Sequence, residues 1–284
     1  MTSTPGDDWS PADHPYAIAV SEAQWAAADA LLSLHRMRTE DQHVGWFSSQ
    51  QIDARHLVSA LRQLLTAENL EQIALKELGI DSAVGEALGE ARVRYEQALP
   101  GFKDVRNGLT HFDQWARGQG RGPQEKRRNA GELPREVARA FWGFGYDPTK
   151  GTITSGPHEI HIDTAERAVQ ELRDAIYTAA REVDKNNTAA LRARTVEALT
   201  YGGISCDADG SAVLISPGND ARIWVSLTAS AADERARRET AQQAVAALEG
   251  RGLRLTPLMA AIEATPVERL ARGEPLYVEA DPPH

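Results

Sequence analysis

The sequence predicts a mostly α protein: a helical domain carrying a small antiparallel β insertion, followed by a smaller α+β module. Three observations lead there. Apolar residues recur at three- and four-residue spacing over most of residues 21–183. Between about 137 and 162 the pattern changes to short alternating segments separated by glycine, proline and asparate turn signals. Beyond residue 188 short strand-like runs alternate with helical ones. The expected organisation is a flexible tail over residues 1–20, a helical domain over 21–186 and an α+β module over 188–284.

The tail reading rests on Pro5, Gly6, Pro11 and Pro15 with acids between them. Ser21 and Gln24 have the spacing of a capping box and predict a helix start, with Trp25, Ala28, Leu32 and His35 following at helical spacing. A looser stretch around Gly45–Ser48 leads to a second helix faced by Ile52, Leu57, Leu61, Leu64 and Leu65. A separate short helix is expected near Glu71–Leu78, stopped by Gly79. Asp81 or Ser82 caps the next helix, whose inner side is Val84, Leu88, Ala91, Tyr95 and Leu99.

A helix from about Phe102 to Arg117 follows, with Phe102, Val105, Leu109, Phe112 and Ala116 as one continuous apolar stripe. Residues 118–135 are polar, basic and glycine-rich and read as a mobile loop. Phe141–Tyr146, Thr152–Thr154 and His158–Ile162 predict a three-stranded meander. Asp163 and Glu166 cap a long helix with Ala165, Val169, Leu172, Ile176, Ala179 and Val183 inward. Asp184–Asn187 reads as the domain boundary. The C-terminal module is expected to hold a helix at Thr188–Leu199 and strands at Ala212–Ile215 and Arg222–Leu227, the latter pair joined by Ser216–Asp220. A helix at Ala231–Leu248 and further strands at Leu253–Leu255 and Leu276–Val278 complete it.

Composition narrows the function classes. The net charge of −10 argues against coating nucleic acid without regard to sequence, which depends on neutralising many phosphates. It leaves room for a local basic site, and Arg117, Arg121, Lys126, Arg127 and Arg128 cluster in the expected loop. Cys206 is the only cysteine, so no intramolecular disulfide and no thiolate zinc cluster can form, and a reducing compartment is expected. With neither a membrane-spanning run nor a signal-like leader, the expectation is a cytoplasmic protein with no membrane partner.

One segment carries recognisable chemistry: Val105-Arg106-Asn107-Gly108-Leu109-Thr110-His111. A guanidinium can hold a phosphate and an imidazole can move a proton near neutral pH. Arg106 and His111 are five positions apart, about 140° around a regular helix, whereas Asn107 and His111 are four apart and share a face. Gly108 is a poor helix former placed to loosen the segment.

The arginine, the polar residue directly after it and the histidine further on resemble the signature of the HEPN superfamily. The resemblance covers roughly residues 20–186, and its specific part is Arg106 to His111. It implies a HEPN-like helical bundle that dimerises so that two motif helices line one cleft. It also implies metal-independent RNA cleavage by 2′-hydroxyl attack, with a toxin or defence role and an antitoxin or regulatory protein as a possible partner. Arg106 would bind the phosphate, His111 would transfer protons and Asn107 would orient a histidine or hold the backbone. No cofactor and no metal are expected. The meander is a departure from a minimal bundle of this kind.

Two other readings stand beside it. The same bundle can be a non-catalytic dimerisation module that binds a nucleotide or a protein, with the C-terminal module for recognition, or a purely structural helical adaptor. Other constellations are weaker. His158 and His161 are three apart in a strand and so point to opposite faces. Trp142, Phe144 and Tyr146 alternate on one face and read as core before base-stacking platform.

Overall fold

The computed structural model describes residues 10–39, 41–206, 211–218, 222–228, 233–257 and 264–280. The chain divides into two compact units, Met1–Glu182 and Val183–His284. Residues 1–9 of the expected tail, Asn219 and Asp220 of the expected turn, the helix start at Ala231 and the terminal His284 lie outside the described residues.

In the first unit a short 3-10 turn at Pro11–Asp13 precedes α1 (Pro15–Thr39). The tail therefore ends earlier than expected. Pro15 opens the helix, where its missing N–H costs nothing, and Ser21 lies inside it with no cap to make. The inward face of α1 also differs from the expected one. Ala19, Ala23, Ala26, Ala27, Ala30, Leu34 and Met37 are buried, while Trp25 and Leu32 are exposed. A row of alanines lets α2 approach closely along the whole helix, which large side chains would prevent.

A hairpin of β1 (His43–Val44) and β2 (Phe47–Ser48) leads into α2 (Ser49–Glu77), capped by the Ser48 hydroxyl accepting from Gln51 N–H at 3.2 Å. Leu57, Leu61, Leu64 and Leu65 are buried as their spacing predicts. The separate helix expected at Glu71–Leu78 is the end of α2. Glu68 and Glu71 interrupt the apolar pattern there, yet both are fully buried. Arg92 of α3 (Ser82–Ala98) donates to Glu68 at 2.9 Å and to Glu96 at 3.0 Å. Burial raises the Glu68 carboxyl above the usual carboxylate range despite Arg92. At Glu96 burial acts in the same direction, but hydrogen bonds from Lys103 and Arg92 outweigh it and lower the carboxyl.

These bonds tie α3 to the motif segment, because Lys103 of α4 (Phe102–Thr110) places its Nζ 2.7 Å from Glu96 of α3. Tyr95 adds to the tie: its hydroxyl donates to the Leu61 carbonyl at 2.8 Å, and its ring meets Phe102 edge-on at 5.6 Å. The expected single helix to Arg117 is two helices. α4 ends at Thr110 and α5 (Phe112–Trp115) begins beyond His111, whose φ of −111° and ψ of 41° are not helical. The apolar stripe is correspondingly interrupted: Phe102 and Val105 are buried, but Phe112 is exposed and so is Ala116.

The expected mobile loop at 118–135 holds two helices, α6 (Pro123–Asn129) and α7 (Pro134–Phe141). Both start with proline in the first turn, where the residue that reads as a breaker is a preferred starter. The meander is present as β3 (Phe144–Asp147), β4 (Thr152–Ser155) and β5 (His158–His161), antiparallel throughout, with Asp147 accepting from the Thr149 and Lys150 N–H groups in the first turn. Phe144 and Tyr146 are half-buried and Trp142 is exposed. α8 (Ile162–Tyr201) buries Ala165, Val169, Leu172, Ile176 and Ala179, as expected. Asp163 and Glu166 pair with Arg38, each at 2.7 Å.

α8 is continuous through Asp184–Asn187, so the chain passes from one unit to the other inside a helix and no loop marks the boundary. Asparagine is only modestly unfavourable in a helix, so polar residues there do not break it. In the second unit, β6 (Val213–Pro217), β7 (Ile223–Leu227), β8 (Leu253–Pro257) and β9 (Leu276–Ala280) form a four-stranded antiparallel sheet in the order β6-β7-β9-β8. Ala198 and Leu199 of α8, α9 (Glu234–Glu249) and α10 (Pro266–Ala271) contribute to one core with Val213, Ile223, Val225, Leu253, Leu276 and Val278. Thr265 and Glu268 form a complete capping box on α10. Among the described residues no helix is long and apolar enough to cross a membrane.

Candidate functional site

The break at His111 shapes the site. His111 N–H still donates to Asn107 carbonyl at 2.8 Å, and the His111 carbonyl accepts from Gln114 and Trp115 N–H at 3.0 Å. His111 thus closes α4 and opens α5, with its side chain exposed to solvent. A cleft of about 360 Å³ opens beside it, lined by Asn107, His111, Gln114, Trp115 and Arg121. Asn107 and His111, expected to share a helix face, both line this cleft, although His111 itself lies beyond the end of α4. Arg106 is not among the lining residues. Its guanidinium is half-buried and lies 3.5 Å from Asn107 Oδ1, the outer limit of a hydrogen bond. The angular separation expected for one straight helix does not describe this pair, because the helix is not continuous.

Trp115 forms the floor. It is buried with Val137 and Phe141 in a small core of their own, its ring edge-on to Phe141 at 5.8 Å. Two glycines let it sit there. A Cβ at Gly108 would lie 3.2 Å from Trp115 Cε3, and one at Gly120 would lie 2.6 Å from Trp115 Nε1. Gly108 therefore admits the indole beneath α4, and the helix break it was expected to cause comes three residues later.

Polar bonds hold the far wall. Gln124 is fully buried; its amide oxygen accepts from Gly120 N–H at 2.8 Å and its amide nitrogen donates to Trp115 carbonyl at 3.1 Å. Arg128 donates to the carbonyls of Gly118 at 2.6 Å and Gly120 at 3.0 Å. Arg127 pairs with Glu132 through two hydrogen bonds and lies over the Phe141 ring at 5.7 Å. Arg117 donates to Asp113 carbonyl at 3.0 Å. Of the five basic residues clustered after the motif, three therefore serve structure. Arg121 and Lys126 are exposed and make no ion pair among the described residues, and Arg121 alone of the five lines the cleft.

The sequence reading missed this division because composition cannot distinguish a solvated arginine from one that satisfies carbonyls. The available signal was spacing: Arg128 stands within reach of a glycine-rich turn whose carbonyls need donors. The other constellations separate as expected from their spacing. His161 is largely exposed, whereas His158 is mostly covered, its ring 6.1 Å from Phe141 and its Nε2 3.9 Å from Asp104. Among the described residues no three His, Cys, Asp or Glu side chains gather into a metal-binding group. The cleft can chemically offer one imidazole, two amides, one guanidinium and an aromatic floor. No protein-family model, no curated protein and no solved structure matches this chain.

Proposed function

We propose that the chain is a metal-independent endoribonuclease of HEPN type, acting as a homodimer on RNA, with a toxin or defence role as its setting. The observation that carries this reading is the exposed His111 beside Asn107 in one cleft, at a break in the motif helix. RNA carries its own nucleophile, so the reaction asks the protein for proton transfer and charge stabilisation. The 2′-oxygen forms a bond to phosphorus while the P–O5′ bond breaks, leaving a cyclic phosphate and a 5′-hydroxyl. The 2′ proton goes to a base and the departing O5′ takes a proton from an acid. His111 is the group for one of these transfers. Arg106 of the motif neutralises phosphate charge, and Asn107 orients the histidine or the substrate backbone. A second copy of the chain supplies the complementary His111 and Arg106 across a two-fold axis.

A second reading has an observation in its favour. Arg106 lies outside the cleft lining and its guanidinium faces Asn107, which suits a cleft that binds a nucleotide or protein partner without cleaving. RNA cleavage by the purified protein in EDTA, beside His111→Ala, separates the two. The ribonuclease reading requires cleavage in chelator that falls at least about a hundredfold in His111→Ala. Cleavage that needs Mg²⁺, or that persists in the variant, overturns it.

A further inference from the structure

We infer that Arg121, which lies outside the Arg106–His111 motif, is the cleft's own anion-binding residue and takes a phosphodiester oxygen of single-stranded RNA. This deepens the ribonuclease reading and rests on its choice of cleft. Three observations carry it. Arg121 lines the same cleft as His111 and Asn107, while Arg106 does not. Arg117, Arg127 and Arg128 are each committed to protein acceptors, but Arg121 is exposed and without an ion pair among the described residues. The backbone on either side of it is held: Gly120 binds Gln124 through its N–H and Arg128 through its carbonyl, and Gly122 carbonyl accepts from Lys126 N–H at 3.0 Å.

A fixed backbone lowers the entropic cost of placing a long cation, and a guanidinium matches two phosphate oxygens with a planar pair of donors. Gln114 and Asn107 add amide groups on the same walls, and the edge of Trp115 provides an apolar floor. A phosphate held by Arg121 thus lies in the cleft that His111 faces. One protomer then holds both a cation and an imidazole, without Arg106.

The test uses the full chain, with two non-cleavable probes: inorganic phosphate and a short single-stranded RNA whose 2′-hydroxyls are methylated. Binding is followed by calorimetry and by the His111 ring resonances. Arg121→Gln should weaken RNA binding about ten- to hundredfold, the range for one charge-assisted bond, and Arg121→Lys should recover part of it. Arg121→Gln should also lower the slope of log affinity against log salt by about 0.7, the value for one contact to a single strand. Lys126→Gln, a neighbouring charge outside the cleft lining, should do neither. Equal losses in Arg121→Gln and Lys126→Gln, or no binding of either probe by the unsubstituted protein, overturn the inference. RNA cleavage runs in parallel. Cleavage that needs His111 but is unchanged in Arg121→Gln also overturns the inference and leaves the ribonuclease reading standing. Arg121-dependent binding with no cleavage removes the ribonuclease reading and leaves Arg121 as the anion site.

Discussion

α2 and the α4–α5 segment lie in one unit and touch each other, yet they are held by different forces. α2 buries an aliphatic face, with Leu57, Leu61 and Leu64 fully covered. α4 and α5 together bury only Phe102, Val105 and Trp115, and their other side chains, most of them polar, are half-buried or exposed. What fixes them is directional: Lys103 on Glu96, Gln124 on Gly120 and Trp115, Arg128 on two glycine carbonyls. Aliphatic packing holds a helix by covering its side chains. Directional bonds hold a backbone while leaving side chains open to solvent. A site that must present an imidazole in a defined place needs the second kind of support, and the contrast explains why the cleft lies on the short, broken helices.

The sharpest break in that contrast should come from the core. Leu61→Ala in α2 is expected to lower the unfolding free energy by about 2–5 kcal/mol, through lost burial and a residual cavity. Urea denaturation followed by circular dichroism measures it; a change below about 1 kcal/mol would mean α2 is not packed as described. His111→Ala should reverse the pattern. It removes an exposed side chain, so stability should move by less than about 0.5 kcal/mol, while cleavage falls at least about a hundredfold. A large loss of stability in this variant would place His111 in the fold and not in the chemistry.

Gln124→Leu lies between these extremes. It keeps the volume but removes the acceptor of Gly120 N–H and one of the two donors to the Trp115 carbonyl, which keeps Gly118 N–H, at a cost of about 1–3 kcal/mol. The loss should also reach the cleft: emission of Trp115, isolated in a variant with the other tryptophans replaced by phenylalanine, should shift to longer wavelength. An unchanged emission would show that the far wall does not need its amide tether.

The smallest effect concerns pH. Burial raises Glu68, so between the ordinary carboxylate value and the raised one the folded state binds more protons than the unfolded chain. The stability of the protein relative to Glu68→Gln should therefore decline as pH rises through that window and level off above it. Glu96 has the opposite sign, since its carboxyl is lowered; its contribution is present above the unfolded value and is lost as pH falls through the lowered one. Denaturation midpoints across the acid range check both. A Glu68→Gln difference that is flat with pH, or that rises with it, would mean the Arg92 ion pair outweighs burial.

Several elements could be read directly. Leu57, Leu61 and Leu64, or Val169, Leu172 and Ile176, repeat at helical spacing with charged residues opposite, and such faces bury wherever the helix lands. The meander was legible because its turns carry their own chemistry, as Asp147 shows. The inward face of α1 is harder to read: Trp25 and Leu32 are much larger apolar side chains than alanine, but close approach by α2 favours the alanine face. Residues 118–135 look like a loop in sequence because glycine and proline mark both turns and helix starts. Their order comes from Gln124 and Arg128, whose partners are carbonyls and amides that no side-chain pattern reveals.

By itself the sequence determined the helical character of the first unit, the antiparallel insertion and the α+β character of the second. Each follows from local spacing and propensity, which act over a few residues. Only the tertiary structure decided that the motif helix breaks at His111 and that Trp115 fills the space under Gly108 and beside Gly120. It also decided that Arg121 lines the cleft while Arg117, Arg127 and Arg128 turn to protein acceptors. Those outcomes depend on which groups compete for a limited set of hydrogen-bond partners once the chain is packed, and that competition is settled in space.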